Sequence, residues 1–372
     1  MALRDEILEQ PDAAQRLLSA APASFAPVRA MVAHSRPRFA LIAARGSSDN
    51  AALYAQYLFG IRNSLAVALA TPSAITLYGA RPDYSDALVI AISQSGRSPD
   101  IIAVVDEARR QGAPTIALTN DTNSPLAQAA EHAISIEAGP ELATAATKTY
   151  TTELLSVALM SGALDPMSQA EQSELARIPA LMAEALTVED EARAVASGHS
   201  DRTSCVVLGR GFGYATAREW ALKLQEMAQL LAVPYSTADF EHGPMALAQR
   251  GFAVLAVAPS GPPLDAQVDV LEQLRDVHGA QVLVLSDSAA ARSIDCGLSL
   301  PAGVPGWLSP VVDIIPGQLY AYHLTVARGL DPDRPRTINK VTETTGGERK
   351  RKDRRPGERA SGRNGGKRGV RG

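Results

Sequence analysis

The stretch Ala91-Ile92-Ser93-Gln94-Ser95-Gly96-Arg97-Ser98-Pro99-Asp100 joins two segments of different character. Residues 87–92 form a continuous apolar run, which is typical of a strand buried in a parallel sheet. Residues 100–108 have the apolar spacing of a helix, which would begin with a proline and an aspartate. The stretch is therefore predicted to be a strand-to-helix turn that is rich in hydroxyl groups.

Two interpretations of this turn follow from its chemistry. A strand-to-helix turn directs unpaired backbone N–H groups and the helix dipole towards one point, and this favours a bound anion. The neutral side-chain donors that would then surround a phosphate group are Ser93, Gln94, Ser95 and Ser98. In the alternative interpretation the serines only cap the helix, and the rest of the chain has to decide between the two.

Strands and helices alternate around this turn. Residues 4–34 are predicted to be helical, with a break near Pro22, and residues 150–195 to form a helical connection. Further strands are predicted at residues 38–44, 64–70, 114–120 and 133–136. This alternation predicts the α/β class, with a parallel sheet covered by helices.

The pattern repeats along the chain with one fixed displacement. Gly46 and Gly211 each lie in an Arg-Gly turn after an apolar run, and their sequence numbers differ by 165. Gly96 and Gly261 each follow a serine in the corresponding turns, and their sequence numbers differ by the same amount. Two landmarks displaced by this one repeat interval indicate duplication of a whole α/β unit.

The two copies differ at the proposed anion loop. The second copy has Ala258-Pro259 where the first has Ser93-Gln94. This replacement removes a hydroxyl, an amide and a backbone donor. One anion site per chain is therefore predicted, in the first copy.

Composition is consistent with two domains of ordinary size in 372 residues, of which 46% are hydrophobic and 20% charged. The last part is different, because residues 348–372 carry 11 Lys and Arg against 3 Asp and Glu and are rich in glycine. The predicted organisation is a first unit at 1–165, a second at 166–343 and a disordered basic tail at 344–372. A tail of this kind is usually solvated, so nucleic-acid binding is not expected unless the tail provides it.

Several classes of function find no support in the chain. Two cysteines, Cys205 and Cys296, cannot form a disulfide framework or a metal cage, and they favour a reducing cytoplasm. No apolar run approaches the length of a membrane span. Residues 208–214 contain Gly-x-Gly-x-Gly rather than the Gly-x-Gly-x-x-Gly spacing of dinucleotide-binding loops, so no nucleotide cofactor is expected. No His-Glu-x-x-His or Cys-x-x-Cys motif occurs, so no metal is expected either.

Three charged residues stand on one face of a helix predicted over residues 215–231. Glu219, Lys223 and Glu226 are spaced i, i+4 and i+7, which places two carboxylates and an ammonium group together. Such a set is often only a solvated ion pair. Here the helix follows a strand-end glycine turn, where α/β folds place their clefts.

Two further candidates lie outside the predicted helices. His242 precedes Gly-Pro in a turn, and Lys340 lies in an irregular segment after the last predicted helix. Either side chain could simply be solvated. An irregular segment can also fold back over a cleft, so both remain candidates.

Together these residues resemble the duplicated sugar-isomerase (SIS) family, which includes the isomerase half of glucosamine-6-phosphate synthase and stand-alone glucosamine-6-phosphate deaminases. The resemblance covers residues 38–343, and it implies two tandem flavodoxin-like three-layer subdomains. The matching landmarks, in order, are Arg45-Gly46-Ser47-Ser48, Ser93-Gln94-Ser95-Gly96, Glu141 to Lys148, Gly209-Arg210-Gly211, Glu219 to Glu226, His242-Gly243-Pro244, and Pro335-Arg336 with Lys340.

The resemblance also implies roles for individual residues. Glu226 would move a proton between C1 and C2 of a hexose phosphate, helped by Glu219 and Lys223. His242 would open the sugar ring from the neighbouring subunit of a homodimer, and Lys340 would meet the open-chain carbonyl. Substrate-binding positions implied by the family are Ser48, Ser93, Gln94, Ser95, Ser98, Thr144 and Ala146.

The departures from the synthase bear on the substrate. No glutaminase segment precedes the first unit, which leads us to expect ammonia release, from glucosamine 6-phosphate to fructose 6-phosphate, without a cofactor. Arg97 stands where the synthase has glutamate, and Ala146 where it has a serine that contacts the sugar. Two alternatives stay open: a deglycase that splits phosphorylated fructosamine adducts, and a sugar-phosphate sensor without catalysis.

Overall fold

The computed structural model describes residues 2–336 and Lys340. Two five-stranded parallel sheets form its framework, one in each half of the chain. The strands of the first sheet are β1 Phe39–Ala43, β2 Ala66–Leu69, β3 Ala87–Ile92, β4 Thr115–Thr119 and β5 His132–Ser135. Those of the second sheet are β6 Ser204–Gly209, β7 Leu231–Ser236, β8 Ala253–Val257, β9 Gln281–Ser286 and β10 Cys296–Ser299.

Helices cover both faces of each sheet, so the predicted α/β class is confirmed. The helices of the first half are α1 Ala2–Leu8, α2 Gln10–Ser35, α3 Ser47–Asn63, α4 Pro72–Thr76, α5 Pro99–Arg110, α6 Pro125–Ala129 and α7 Lys148–Leu164. Three helices connect the halves: α8 Gln169–Ala176, α9 Ile178–Ala185 and α10 Glu189–Ser197. The second half has α11 Phe212–Glu226, α12 Thr237–Glu241, α13 Leu264–Asp276, α14 Ala289–Arg292 and α15 Ser309–Ala327. Short 3-10 helices occur at Leu186–Val188, Pro244–Leu247 and Gly306–Leu308.

The predicted duplication is confirmed by topology and by backbone geometry. The strand orders are β2-β1-β3-β4-β5 and β7-β6-β8-β9-β10, which are the same order in the two halves. Gly46, before α3, has φ 58° and ψ −131°, and Gly211, before α11, has φ 57° and ψ −130°. Since few residues other than glycine adopt a positive φ, both copies need glycine at this point.

The buried side chains divide according to the pleat of the strands. In β3, Leu88, Ile90 and Ile92 face a central core that also contains side chains of α3, α7, α11 and α15. The alternate residues Val89 and Ala91 face a separate core under α5. The central core therefore joins the two halves, and each sheet has a smaller core of its own on the other side.

Two predicted helix limits are wrong. The first helix does not break near Pro22, because α2 continues through Pro22 and Pro27 while it packs along α7. The break comes earlier, at Glu9, between α1 and α2. In the second half α11 ends at Glu226, because the chain turns there to begin β7 at Leu231.

The predicted basic tail at 344–372 lies outside the described residues. Within residues 2–336, no helix combines the length and apolar character needed to cross a membrane.

Candidate active site

The candidate site lies at the carboxyl edge of the first sheet, where β1 and β3 are neighbours. The segment after β1 enters α3, which packs in the central core, whereas the segment after β3 enters α5 on the other face. Neighbouring strands whose connections leave to opposite faces open a crevice at that edge, and α/β proteins bind ligands there. The start of α3 and the loop Ser93–Ser98, here called the serine loop, therefore flank one crevice.

The serine loop is held by its own backbone and by the neighbouring turn. Gly96 has φ 60°, and a Cβ at this position would lie 2.1 Å from Ser124 Oγ, so no other residue fits. The Gly96 N–H donates to Ser93 Oγ at 3.2 Å, and the Arg97 N–H donates to Ser95 Oγ at 3.4 Å. Both hydroxyls accept in these bonds, so their own protons stay available for a ligand.

The interpretation that the serines only cap the helix is not supported at the N-terminus of α5. Ser98 is the N-cap residue of α5, yet its side chain makes no capping hydrogen bond. Gln94, Ser95 and Ser98 are half-buried, and Ser93 is 8% exposed. Arg97 projects from the same loop with 60% of its side chain exposed and pairs with Asp121 at 3.3 Å.

The charged face of α11 meets the start of α3. Glu219 Oε1 accepts from Ser47 Oγ at 2.9 Å, and its Oε2 accepts from Asn50 Nδ2 at 2.8 Å. Lys223 Nζ lies 3.3 Å from Glu219 Oε1 and 2.6 Å from Glu226 Oε2. The predicted side chains therefore do converge, and they do so across the junction between the two halves.

The three charged groups of α11 differ sharply in exposure. Glu219 and Lys223 are fully buried, whereas 26% of the Glu226 side chain is exposed. Burial raises the pKa of Glu219. For Lys223, burial lowers the pKa, but the charges of Glu219 and Glu226 together outweigh burial and raise it overall. Glu226, at the open end of the row, is the member that can reach a ligand.

Glu153 is a further acidic residue at this site, and the sequence analysis missed it. It lies in α7 and is 1% exposed, and its Oε1 accepts a hydrogen bond of 2.8 Å from Ser48 Oγ. Burial raises the pKa of Glu153 to about 8, and the nearby carboxylates of Glu141 and Glu219 add to the effect of burial. Ser48 itself is 8% exposed, next to the crevice.

Lys340 reaches this region from the C-terminal segment. Its Nζ lies 2.6 Å from Glu141 Oε2, and Glu141 also accepts from the backbone N–H groups of Thr147 and Thr149. Burial favours the neutral form of Glu141, but Lys340 and these hydrogen bonds outweigh burial and lower its pKa. The predicted lysine is therefore near the site, with its ammonium group held by a carboxylate.

Comparison with known proteins agrees with this arrangement. The SIS domain family matches residues 35–161 and 200–328, one match for each half. The chain belongs to the SIS family. Each SIS match includes one parallel sheet and the glycine turn that follows its first strand.

Individual SIS relatives cover most of the described fold. The glutamine–fructose-6-phosphate aminotransferase (isomerizing) of Pyrococcus horikoshii is 33% identical over 310 residues, which cover 81% of this chain and 51% of that protein. The chain thus spans about half the length of the curated relatives it matches. The C-terminal domain of glucosamine-fructose-6-phosphate aminotransferase from Francisella tularensis superposes with a TM-score of 0.82 at 27% identity, covering 90% of this chain and 98% of that domain.

A third similar protein shares the fold at lower identity. Glucosamine-6-phosphate deaminase from Thermotoga maritima superposes with a TM-score of 0.71 at 22% identity, covering 92% of this chain and all of that one (100%).

The other predicted site residues have varied positions in this SIS fold. Thr144 and Ala146 are half-buried in the segment between Glu141 and α7, and they alternate with buried residues. His242 is exposed at the end of α12. Between described residues, no hydrogen bond or ion pair joins His242 to Lys223 or Glu226.

Proposed function

We propose that the protein is an aldose–ketose isomerase and deaminase that converts glucosamine 6-phosphate and water into fructose 6-phosphate and ammonia. The observation that carries the proposal is the position of Glu226. It is the exposed end of a buried Glu–Lys–Glu row that is hydrogen-bonded, through Ser47, to the helix bordering the serine loop. This contact supports a site in which the proposed base acts on a sugar whose phosphate is held at the serine loop, as an enolisation of a phosphorylated sugar requires.

The serine loop would hold the phosphate of the substrate. Its hydroxyl and amide groups can donate several hydrogen bonds to a dianion while the Gly96 turn fixes their directions. Holding the phosphate at C6 fixes the distance from the phosphate to C1 and C2, and this orients the reacting carbons towards α11.

Glu226 would then transfer a proton between the two carbons. In the open-chain aldehyde, Glu226 removes the proton from C2 and returns it to C1, while one amine proton moves to O1. The aldehyde becomes a hydroxymethyl group and the amine becomes an imine at C2. Water adds to this imine, ammonia leaves, and the ketone of fructose 6-phosphate remains.

The other charged groups would have supporting roles. Lys223 orients Glu226 through their 2.6 Å ion pair. Glu219 holds Lys223 in place through a second ion pair of 3.3 Å. Lys340 would approach the carbonyl once it leaves Glu141. The thiol of Cys205 takes no part, since it is buried and burial raises its pKa to about 12.

The test is direct. Purified protein is incubated with glucosamine 6-phosphate, and ammonia and fructose 6-phosphate are measured together in the same sample. We expect both products to appear in equal amounts. Loss of glucosamine 6-phosphate without release of ammonia, or no turnover on a panel of amino-sugar phosphates, would refute the proposal.

A second candidate function is favoured by one observation. Arg97 is an exposed cation on the serine loop, and it could pair with a second acidic group on the substrate. A phosphorylated fructosamine–amino-acid adduct carries such a carboxylate. In a substrate panel, faster release of amino acid from these adducts than of ammonia from glucosamine 6-phosphate would favour the deglycase.

We further propose that the protein acts as a cytoplasmic homodimer in which His242 serves the site of the partner subunit. The exposure of His242 in one chain supports this arrangement. Mixing inactive Glu226→Gln and His242→Ala proteins would then rebuild one intact site in each mixed dimer and restore about a quarter of the activity. If His242 served its own chain, every site would lack one residue and mixing would restore nothing.

A further inference from the structure

The pair Glu153–Ser48 has no counterpart in the second half of the chain. One repeat interval after Glu153 stands Gln318, in α15, and one repeat interval after Ser48 stands Gly213, in α11. This is the interval that relates Gly46 to Gly211 and Gly96 to Gly261. The half with the serine loop thus has a carboxyl and a hydroxyl in contact, and the half without it has an amide and no side chain.

The counterpart shows that helix packing alone does not require a carboxyl group here. Gln318 is fully buried, as Glu153 is, and its Oε1 accepts from Gln10 Nε2 at 2.8 Å. A neutral amide of nearly the same size therefore fills the equivalent place in α15. The carboxyl of Glu153 needs an explanation specific to the first half, and its partner Ser48 lies at the crevice proposed to bind the sugar phosphate.

We propose that Glu153 is a positioning residue whose protonation decides whether the Ser48 hydroxyl can donate a hydrogen bond to the sugar phosphate. This inference rests on the proposed function, because it takes the crevice as the substrate site. It assigns Glu153 no contact with the substrate, since the residue acts through Ser48.

The two protonation states of Glu153 have opposite effects on the hydroxyl. When Glu153 is protonated, its O–H donates to Ser48 Oγ, and the Ser48 proton is free to point into the crevice. When Glu153 is ionised, it has no proton to give, so the Ser48 O–H must donate to the carboxylate. The crevice then loses a donor and gains a negative charge behind it, and both changes weaken the binding of a phosphate dianion.

The surroundings of Glu153 favour the protonated state at neutral pH. Burial is the main cause of its raised pKa of about 8, and the carboxylates of Glu141 and Glu219 act in the same direction. The hydrogen bond from Ser48 and the charge of Lys340 oppose them, but burial outweighs both, and Lys340 is held by Glu141. Tyr150, fully buried on the same helix, has its pKa raised well above the usual value and stays neutral throughout the range considered.

The remaining charged groups around α7 and the start of α3 are paired. From α2, Glu9 pairs with Lys148 at the start of α7 at 2.6 Å. Between α11 and α3, Arg218 lies 3.3 Å from Asp49. Burial raises the pKa of Glu6, on α1, whose carboxylate accepts from the Ala143 backbone at 3.2 Å. Glu153 is thus the carboxyl group in direct hydrogen-bond contact with Ser48, and its pKa of about 8 lies between pH 7 and 9.5.

The experiment measures the protonation of Glu153 and the binding of phosphate separately. Infrared difference spectra of the full chain, wild type against Glu153→Gln, report the carbonyl band of a protonated carboxyl group without any ligand. Isothermal titration with inorganic phosphate then gives the dissociation constant at each pH. Dividing the wild-type constant by that of Glu153→Gln cancels the ionisation of phosphate itself.

The expected result is a coupled change. The carboxyl band of Glu153 is present at pH 7 and lost by pH 9.5, and over the same interval the ratio of dissociation constants rises about thirtyfold, as one proton with a pKa near 8 requires. Ser48→Ala binds phosphate more weakly at pH 7, and its constant rises much less above pH 8, because only the charge of Glu153 then acts on the ligand. This second variant removes the acceptor of the proposed switch while it leaves Glu153 in place.

Each other outcome contradicts a definite part of the inference. Absence of the carboxyl band at pH 7 would overturn it while leaving the proposed function intact. A band that titrates while the ratio stays flat would show that Glu153 does not act on the ligand. A titrating band with no phosphate binding by the wild type at any pH would refute the proposed phosphate site, and with it the link through Ser48.

Discussion

The two halves of this protein have the same strand order, yet they treat the turn after their third strand in opposite ways. In the first half the serine loop carries hydroxyl and amide side chains, and those of Gln94, Ser95 and Ser98 are half-buried. In the second half Pro259 has no N–H to offer, and the Ser260 N–H donates to Asp287 Oδ1 at 2.7 Å. A carboxylate of the protein thus accepts from a backbone donor of this turn.

The space beside the second turn is small. The cavity at Ser260 and Asp287 has a volume of about 10 Å³, which is room for a single water molecule at most. Duplication thus kept a glycine with a positive φ in the turn, 60° at Gly96 and 144° at Gly261, and changed the side chains around it. The first copy carries the proposed anion loop, and the second satisfies a donor of its own turn and contributes the charged helix α11 instead.

The largest expected effect is on turnover, and it tests the contribution of α11 from the second half. Glu226→Gln keeps the size of the side chain but removes the base, so we expect kcat to fall about thousandfold. Binding of fructose 6-phosphate should remain, because the serine loop belongs to the other half. Product formation and isothermal titration on the same sample measure the two effects. If Glu226→Gln lost binding as well as turnover, ligand binding and proton transfer would not be divided between the two halves.

The next effect compares stability at Glu153 and at its amide counterpart Gln318. The pKa of Glu153 is about 8 in the folded protein against 4.5 for the ordinary group, so folded protein holds the proton more tightly. The stabilisation from this proton is complete below pH 4.5 and is lost as pH rises to 8. Glu153→Gln avoids this loss, and we expect it to exceed wild type in free energy of unfolding by about 4 kcal/mol at pH 8.

Urea unfolding at pH 4.5 and pH 8 measures this difference. The advantage of Glu153→Gln should be smallest at pH 4.5 and should stop growing above pH 8. An advantage of the same size at both pH values would show that the amide simply packs better and that Glu153 has an ordinary pKa.

A smaller effect distinguishes the two glycines of the matched turns. Gly96→Ala places a Cβ 2.1 Å from Ser124 Oγ in addition to backbone strain at φ 60°. Gly261→Ala is also strained, at φ 144°, but its nearest contact is Pro263 Cδ at 3.9 Å. We expect Gly96→Ala to cost about 2 kcal/mol more than Gly261→Ala in chemical denaturation. Equal losses would mean that the serine loop is no more tightly held than its counterpart.

The smallest effect concerns single hydroxyls. Ser95→Ala removes one donor to the phosphate, and we expect the dissociation constant for fructose 6-phosphate to rise about tenfold. Ser260→Ala removes the serine of the matched turn, and the constant should stay within about twofold because that turn binds no ligand. Equal effects of the two substitutions in isothermal titration would contradict one anion site per chain.

Much of the fold could be predicted because the strands are long apolar runs with marked ends. The run at 87–92 coincides with β3, and the repeat interval was already evident from two pairs of glycines. Helix limits were harder, because packing outweighs local preference. Proline usually interrupts a helix, but α2 continues through Pro22 where it lies along α7.

The site was predictable in part for similar reasons. Glu219, Lys223 and Glu226 share a helical face, so their spacing predicted that they would meet. Glu153 was missed because a single glutamate among threonines gives no period, and only the fold shows that α7 is buried on all sides. The one signal in the sequence was Gln318, one repeat interval further on, which marks position 153 as a place where the copies differ in charge.

The hydrogen bonds from Ser47 and Asn50 to Glu219 also set an order of events during synthesis. The partners are separated by 172 and 169 residues, so the ribosome completes the first sheet long before α11 emerges. At that stage the nascent chain can already form its serine loop, but Ser47 and Asn50 at the start of α3 still lack Glu219 as their hydrogen-bond acceptor. The proposed phosphate-binding loop is therefore synthesised before the charged face of α11. A chain that stopped between the halves would lack the proposed base, Glu226.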